Sequence, residues 1–458
     1  MKRSKSKLLL IPFLLVSGAL SADQPQNQDK CDQTDERALV MSGGGAKGGF
    51  EAGSVYHLVI HRGCDFKDIA GVSVGALNGA YLAQAPRGPQ SLENLQKKAT
   101  QLRDFWLGIK GPQDVLDPRF LGELRLFLFG LDSLNDLSPL EKIIETQIDI
   151  DAIRKNGRAL RVGTTSFYSG IYREFDPKDT TDDQMRKAIL ASASIPVYAR
   201  LPKLEVKGSL EQYADGGVSH ITPLPAYFAP CDFSPQIAAD VMAQAGPGRP
   251  CVTYELTGHT PRIKELFVIV ASPYNPASAR LPPPTPCEKR PKPCLLDDGR
   301  EILTRTLDVL TTSPYRWDLN FALAANRMLQ WRQDIYKWGR DNLPPDQAER
   351  LTGAVRDLEI ATEFPVRSAN PSPDNRLSLP YEMTIISPSK SYADTYGFDP
   401  DNIKFQLYKG CVMADWSLKC ERGMTSMRDA CKREFPVKNE DLQNDPDPTV
   451  CDMPGVMR

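Results

Sequence analysis

Twice in succession near the start of this chain, a short apolar run gives way through glycine to a stretch with helical spacing. "RALVM" (37–41) runs into "SGGGAKGGF", and "FKDIAGV" (66–72) runs into "SVGALNGAYLAQ". Short apolar runs alternating with helical periods describe strands buried on both faces and covered by helices, so the expected fold is α/β with a mostly parallel central sheet in a three-layer α/β/α arrangement. Glycine at both turns tightens the constraint. Each strand must reverse within a few residues with no β-carbon in the way, and each following helix begins with amides that have no partner inside the helix.

Further along, "ALRVGTTSFYSG" (159–170) and "ELFVIVASP" (265–273) read as strands, with "LEQYA" (210–214) a shorter candidate. "SPLEKIIETQI" is expected to be a helix capped by Ser138 before Pro139, and "DDQMRKAILASASIP" a helix stopped by Pro196. "ASARLPPPTPCEKRPKPC" (277–294) is too rich in proline for regular structure. The aromatic spacing in "WDLNFALAANRMLQWRQDIYKW" (317–338) is that of a packing stripe on a long helix, and "YEMTIISPS" (381–389) returns to the sheet. The expected organisation is a leader over 1–22, a main α/β domain over 36–275, a proline-rich loop and helical insertion over 276–375 that extends the scaffold, a return to the domain over 376–410, and a cysteine-rich extension over 411–458.

The leader is a short apolar run, Leu8 to Val16, after Lys2, Arg3, Lys5 and Lys7 and before small residues at 18, 19, 21 and 22. That pattern predicts an export signal cut after Ser21 or Ala22, so the mature protein is periplasmic or extracellular; its apolar run is too short to anchor in a bilayer. Ten cysteines suit an oxidising compartment. Cys231/Cys251 and Cys287/Cys294 are the natural pairs by proximity, although spacing alone does not settle connectivity. With no C-x-x-C pair and four scattered histidines, a metal site is not expected. Losing the four leader cations takes the formal charge from −2 to −6, 52 basic residues against 58 acidic ones, which gives no reason to expect nucleic acid as a partner.

Gly43, Gly45 and Gly48 satisfy G-x-G-x-x-G between a strand and a helix, and Asp65 stands about where a dinucleotide-binding fold places its ribose-binding acid. A P-loop is excluded, because Gly49 occupies the lysine position. The same bare amides at a helix start can instead hold the oxyanion of an acyl-transfer intermediate. "GVSVG" (71–75) favours that second use. It is G-x-S-x-G between a strand and a helix, the context of a nucleophile elbow, with Gly71 and Gly75 flanking Ser73 at the positive end of the following helix. For a base the chain offers His57 and His61 on one semi-exposed helix face, His220 and His259 later, and Asp215, which precedes Gly216 and Gly217 as either a plain turn or a carboxylate presented at a sheet end.

Three stretches together, "SGGGAKGGF", "GVSVGALNGA" and "YADGGVSHITPLPAY", resemble the signature of the patatin-like phospholipases of the bacterial, exported type. "KAILASASIPVYARLP" is similar to the family's helix ahead of its aspartate. The similarity runs from about 37 to 226, weakens to 275, resumes at "TIISPSKSYADTYGFDPDNIKFQLYKG" and does not cover 276–375 or the tail. The resemblance implies a cofactor-free lipid acyl hydrolase that makes transient contact with membranes or lipid aggregates. It assigns Ser73 as nucleophile and Asp215 as general base, without histidine. Gly43, Gly44, Gly45 and Gly48 would supply oxyanion amides, and Lys47, exposed, stands where the family often has arginine. One departure is that His220-Ile221-Thr222-Pro223 follows D-G-G where the family commonly has asparagine, which leaves room for His220 to assist. A nucleotide-binding protein using the 43–48 loop and a catalytically silent binding or storage protein are the competing readings.

Overall fold

The computed structural model describes residues 31, 36–118, 133–206, 208–228, 254–255, 262–274, 299–361, 379–388, 397–422 and 451; for 254–255, 299–316, 356–361 and 419–422 the description is of the backbone. Its centre is a nine-stranded mixed sheet. The strands are β1 (Arg37–Met41), β2 (Asp68–Val72), β5 (Ala159–Ser166), β6 (Tyr172–Phe175), β7 (Lys203–Val206), β8 (Ser209–Asp215), β9 (Tyr254–Glu255), β10 (Glu265–Ile269) and β11 (Glu382–Ile386), while β3 (Asp117–Pro118) and β4 (Asn135–Asp136) form a separate ribbon. The order is β11-β10-β1-β2-β5-β6-β9, parallel from β11 through β5. Every residue of β1, β2 and β10 is buried, as expected of central parallel strands covered on both faces.

Alternate residues of these strands serve two separate cores. Leu39, Met41, Ile69, Phe267 and Ile269 face one layer, made with α1 (Gly48–Tyr56), α2 (Val74–Ala83), α3 (Ser91–Gly108), α4 (Ser138–Gln147), α5 (Ile150–Asn156) and α6 (Asp182–Ser192). Ala38, Val40, Ala70, Leu266 and Val268 face the other, against Leu319, Ala322, Ala325 and Leu329 of the long helix α7 (Gly299–Asn342). Helix α8 (Pro345–Ala361) folds back on α7, and α9 (Pro400–Arg422) lies against α1. Among the described residues no helix is long and apolar enough to cross a membrane.

The arrangement that positions the site is a strand substitution beside β5. Strand β2 pairs with β5 as far as Val72↔Gly163; at the next residue, Thr164, the partner becomes Asp215 of β8, which runs antiparallel. Strand β6 already occupies the other edge of that part of β5. Strand β8 must therefore sit in line with β2, so that the residue leaving one strand faces the residue at the end of the other.

Three expectations need correction. Ser138 is the first residue of α4 and not its cap, because Asp136 Oδ1 accepts both its N–H (2.9 Å) and its hydroxyl (2.7 Å). Cys411 does not open a tail: it lies inside α9, whose Gly410 and α1's Gly53 let the two backbones touch. His57 is fully buried, since α9 covers that face of the helix. The described disulfides are Cys31–Cys64 and Cys411–Cys451; Cys231, Cys251, Cys287 and Cys294 lie outside the described residues.

A β-carbon on Gly53 would stand 1.9 Å from the Leu407 carbonyl oxygen, a backbone atom with no room to retreat. Gly53→Ala is expected to cost about 2 kcal/mol or more in urea unfolding. Gly108→Ala, at a helical glycine with nothing within 4 Å, should leave stability unchanged or raise it slightly. Equal effects at the two sites would contradict the packing described.

Candidate active site

Ser73 sits between β2 and α2 at φ 55°, ψ −126°, a conformation that side-chain-bearing residues seldom adopt. The surroundings enforce it. A β-carbon on Gly71 would lie 2.2 Å from the Gly75 carbonyl oxygen, and one on Gly75 would lie 2.5 Å from the carbonyl oxygens of both Met41 and Ser42. The two flanking glycines are thus the condition for so tight a turn, and strain of this kind persists only where the surrounding structure over-determines it. The turn is also tied down from α6: the Ser73 N–H donates to Ser192 Oγ (2.8 Å), which donates to the Gly163 carbonyl (2.6 Å). Ser192 lies in the quoted "ASASIP" stretch, yet nothing in the sequence separates its role from that of the neighbouring Ser194, whose carbonyl accepts the Asp215 N–H.

Asp215 ends β8 facing Ser73. Its carboxyl lies close enough to the Ser73 hydroxyl to be influenced by it, and its Oδ1 accepts the Gly217 N–H at 2.7 Å. Burial raises its pKa to about 7; the Ser73 hydroxyl and the Gly217 N–H pull the other way and only partly offset the lost hydration. Gly216 is needed for this approach, because a β-carbon there would stand 2.6 Å from the Gly163 carbonyl oxygen, and one on Gly217 would meet Ile221 at 2.4 Å.

The glycine loop passes above the hydroxyl, and its amides divide by their partners. Gly43 donates to the Ile221 carbonyl (2.8 Å) and Gly48 to the Gly45 carbonyl, so both are spent within the fold. Gly44 and Gly45 have no acceptor among the described residues, and Gly45 lines the same cavity as Ser73. The amides open to a ligand are therefore those of Gly44 and Gly45, with Gly43 and Gly48 making close packing possible: a β-carbon on Gly43 would stand 3.0 Å from Ser73 Cβ, and one on Gly48 2.3 Å from Val74. Lys47 is buried, against expectation, because its side chain turns inward and Nζ donates to Ser272 Oγ at 3.2 Å.

The remaining described candidates are engaged elsewhere, and His259 lies outside the described residues. His220 Nδ1 pairs with the buried Asp318 of α7 (2.7 Å), and Asp318 also accepts the Thr222 N–H (2.9 Å), so α7 braces the segment after D-G-G. Asp65, the ribose-binding candidate, is held by Arg158 at 2.7 Å. His57, His61 and Cys411 cluster closely, but the Cys411 sulfur is in a disulfide and the Arg62 Nε–H donates to His57 Nε2 (3.1 Å), which makes a poor ligand set.

Beside Ser73 opens a cleft lined in part by Val74, Leu77, Leu102, Trp106, Leu140 and Ile148. Its lining is overwhelmingly apolar. A hydroxyl beside a buried carboxyl, open amides above it and an apolar trough at its side can bind an acyl chain and present its carbonyl to the hydroxyl.

Among known proteins, residues 39–227 match the family model described as patatin-like phospholipase. No curated protein matches the chain. Among solved structures, the crystal structure of VipD from Legionella pneumophila aligns over 85% of this chain and 67% of that one, at 13% identity and a TM-score of 0.34.

Because Asp215 has a higher pKa folded than unfolded, its contribution to stability is greatest below the ordinary carboxyl range and is lost as pH rises toward about 7. Asp215→Asn is expected to remove that decline from urea-unfolding curves measured between about pH 4 and 8. Ser73→Ala should move the Asp215 midpoint up, since the hydroxyl favours the charged form; a midpoint at the solvated carboxyl value by difference infrared spectroscopy would refute the geometry.

Proposed function

We propose, from the match of residues 39–227 to the patatin-like phospholipase family model, that this chain is an exported lipid acyl hydrolase cleaving carboxylic esters of phospholipids or related acyl lipids. The observation that carries the proposal is the juxtaposition of the Ser73 hydroxyl and the buried Asp215 carboxyl at the edge of an apolar cleft. As Ser73 Oγ bonds to the ester carbonyl carbon, Asp215 takes the hydroxyl proton and the carbonyl oxygen becomes an oxyanion against the amides of Gly44 and Gly45. Collapse of that intermediate expels the alcohol, which leaves with the proton from Asp215. Water, deprotonated by the same carboxylate, then attacks the acyl carbon; as the bond to Ser73 Oγ breaks, Oγ takes back the proton from Asp215 and the fatty acid is released.

A solvated aspartate is a weak base for a hydroxyl. Burial raises the Asp215 pKa to about 7 and so brings it closer to its task, and the open amides and the positive end of α2 stabilise the charge that appears as the proton leaves. The apolar lining supports a long acyl group as substrate. Exposed Phe167, Tyr168 and Leu210, beyond the end of β5 nearest Ser73, suit transient contact with a lipid aggregate. Export is supported by the two disulfides among the described residues. The nucleotide reading is weakened by the Asp65–Arg158 pair and by the Gly43 amide, already bonded to Ile221.

Ser73→Ala and Asp215→Ala are each expected to lower fatty-acid release from a short-chain ester by at least about a thousandfold, while His220→Ala keeps most activity. In the parent and in His220→Ala, kcat/KM should rise with pH and level off above about 7, as the Asp215 carboxyl loses its proton. Full activity in both dyad variants would sink the proposal in favour of a silent binding protein, and loss of the pH limb in His220→Ala would assign the base to the histidine. A panel of phospholipids with defined head groups and sn-1 or sn-2 labels then identifies the bond cut.

A further inference from the structure

Behind the glycine loop lies an acidic residue that the dyad does not use. Glu51, in the first turn of α1, is fully buried. Its Oε2 accepts from Asn78 Nδ2 on α2 at 3.0 Å, and its Oε1 lies 3.5 Å from Ser42 Oγ, at the root of the glycine loop. Asn78 is itself fixed twice more, donating to the Gly48 carbonyl (3.2 Å) and accepting the Trp106 indole N–H (3.0 Å). Ser42 Oγ accepts the Ala271 N–H (2.9 Å) and donates to the Gly43 carbonyl (3.1 Å).

We infer, on the basis of the hydrolase reading above, that Glu51 is a positioning residue: it ties the loop carrying the open amides, through Ser42, to the helix that presents Ser73, through Asn78.

The planarity of one peptide gives this tie its consequence. In a trans peptide the C=O and N–H point in opposite directions, so a hydrogen bond that holds the Gly43 carbonyl back into the protein aims the Gly44 N–H the other way. Gly44 is one of the open amides, and Gly43 is fixed on its other side by its own N–H to Ile221. The loop is otherwise glycine, with little stiffness of its own.

Burial pushes the Glu51 pKa well above the usual carboxyl range, against the hydrogen bonds from Asn78 and Ser42 that favour the charged form. The Ser42 hydroxyl has one proton, within reach of both the Gly43 carbonyl and Glu51 Oε1; with Glu51 in the acid form, Glu51 can donate to Ser42 Oγ while Ser42 gives its proton to Gly43. Glutamine reproduces that pattern, with its NH₂ toward Ser42 and its carbonyl toward Asn78. Alanine removes both links.

The test is steady-state hydrolysis of a short-chain ester by the full mature chain. Glu51→Ala is expected to lower kcat by about ten- to a hundredfold, the scale of one misaimed oxyanion donor, with KM nearly unchanged. Glu51→Gln should recover most of that loss. If Glu51→Ala fails to fold, Ser42→Ala, which removes one oxygen, should show the same loss confined to kcat. Adding Glu51→Gln to Ser42→Ala should change nothing more, because both act on one link. A parental kcat in Glu51→Ala or Ser42→Ala, a Gln variant as poor as the Ala variant, or a loss lying in KM would overturn the inference. Ser73→Ala run alongside separates the two levels: activity surviving there refutes the hydrolase itself, whereas an inactive Ser73→Ala beside an undiminished Ser42→Ala refutes only the role of Glu51.

Discussion

The site depends on one exchange of partners along β5. Where β2 ends, at Val72 opposite Gly163, β8 begins, with Asp215 opposite Thr164. Two chain segments that run in opposite directions thus abut end to end on a shared neighbour, bringing Ser73 and Asp215 together across a long stretch of sequence. The junction tolerates no side chain: Gly71, Gly75 and Gly216 each face a backbone carbonyl closer than 3 Å from where a β-carbon would stand. A hydroxyl and a carboxyl meet because the glycines between them leave nothing else in the gap.

Burial sets the chemistry of that contact. Burying a carboxyl away from cations is unfavourable, and the cost appears as the raised pKa of Asp215. The same shift makes it a better proton acceptor, so the destabilisation and the proposed reactivity have one cause. Around the pair the protein spends its hydrogen bonds on geometry. Ser192 holds the Ser73 amide, Asp318 on α7 holds both His220 and the Thr222 N–H, and Glu51 and Asn78 stand behind the glycine loop. The region between Gly299 and Asn342 therefore does more than extend the scaffold, because its helix braces the segment that follows the aspartate.

Much of this was legible in the sequence because it is local. Two strand–glycine–helix units, the return of "YEMTIISPS" to the sheet and the candidate roles of Ser73 and Asp215 follow from short patterns whose glycines have steric reasons. What stayed hidden depends on distant partners. That Lys47 turns inward follows from Ser272, far along the chain, and that His57 is buried follows from α9. Cys31 meets Cys64 and Cys411 meets Cys451 through the packing of whole elements, which spacing in the chain does not reveal. The division of the glycine amides was likewise invisible, because whether Gly43 is open depends on where the Ile221 carbonyl lies.

The most direct measurement is to treat the mature protein with a fluorophosphonate and locate the adduct by peptide mass spectrometry across a range of pH. A serine activated by the buried carboxylate should give one adduct, on Ser73, forming faster as pH rises toward about 7 and hardly at all in Asp215→Asn. An unmodified Ser73, an adduct on another serine, or an Asp215→Asn variant labelled at the parental rate would contradict the account.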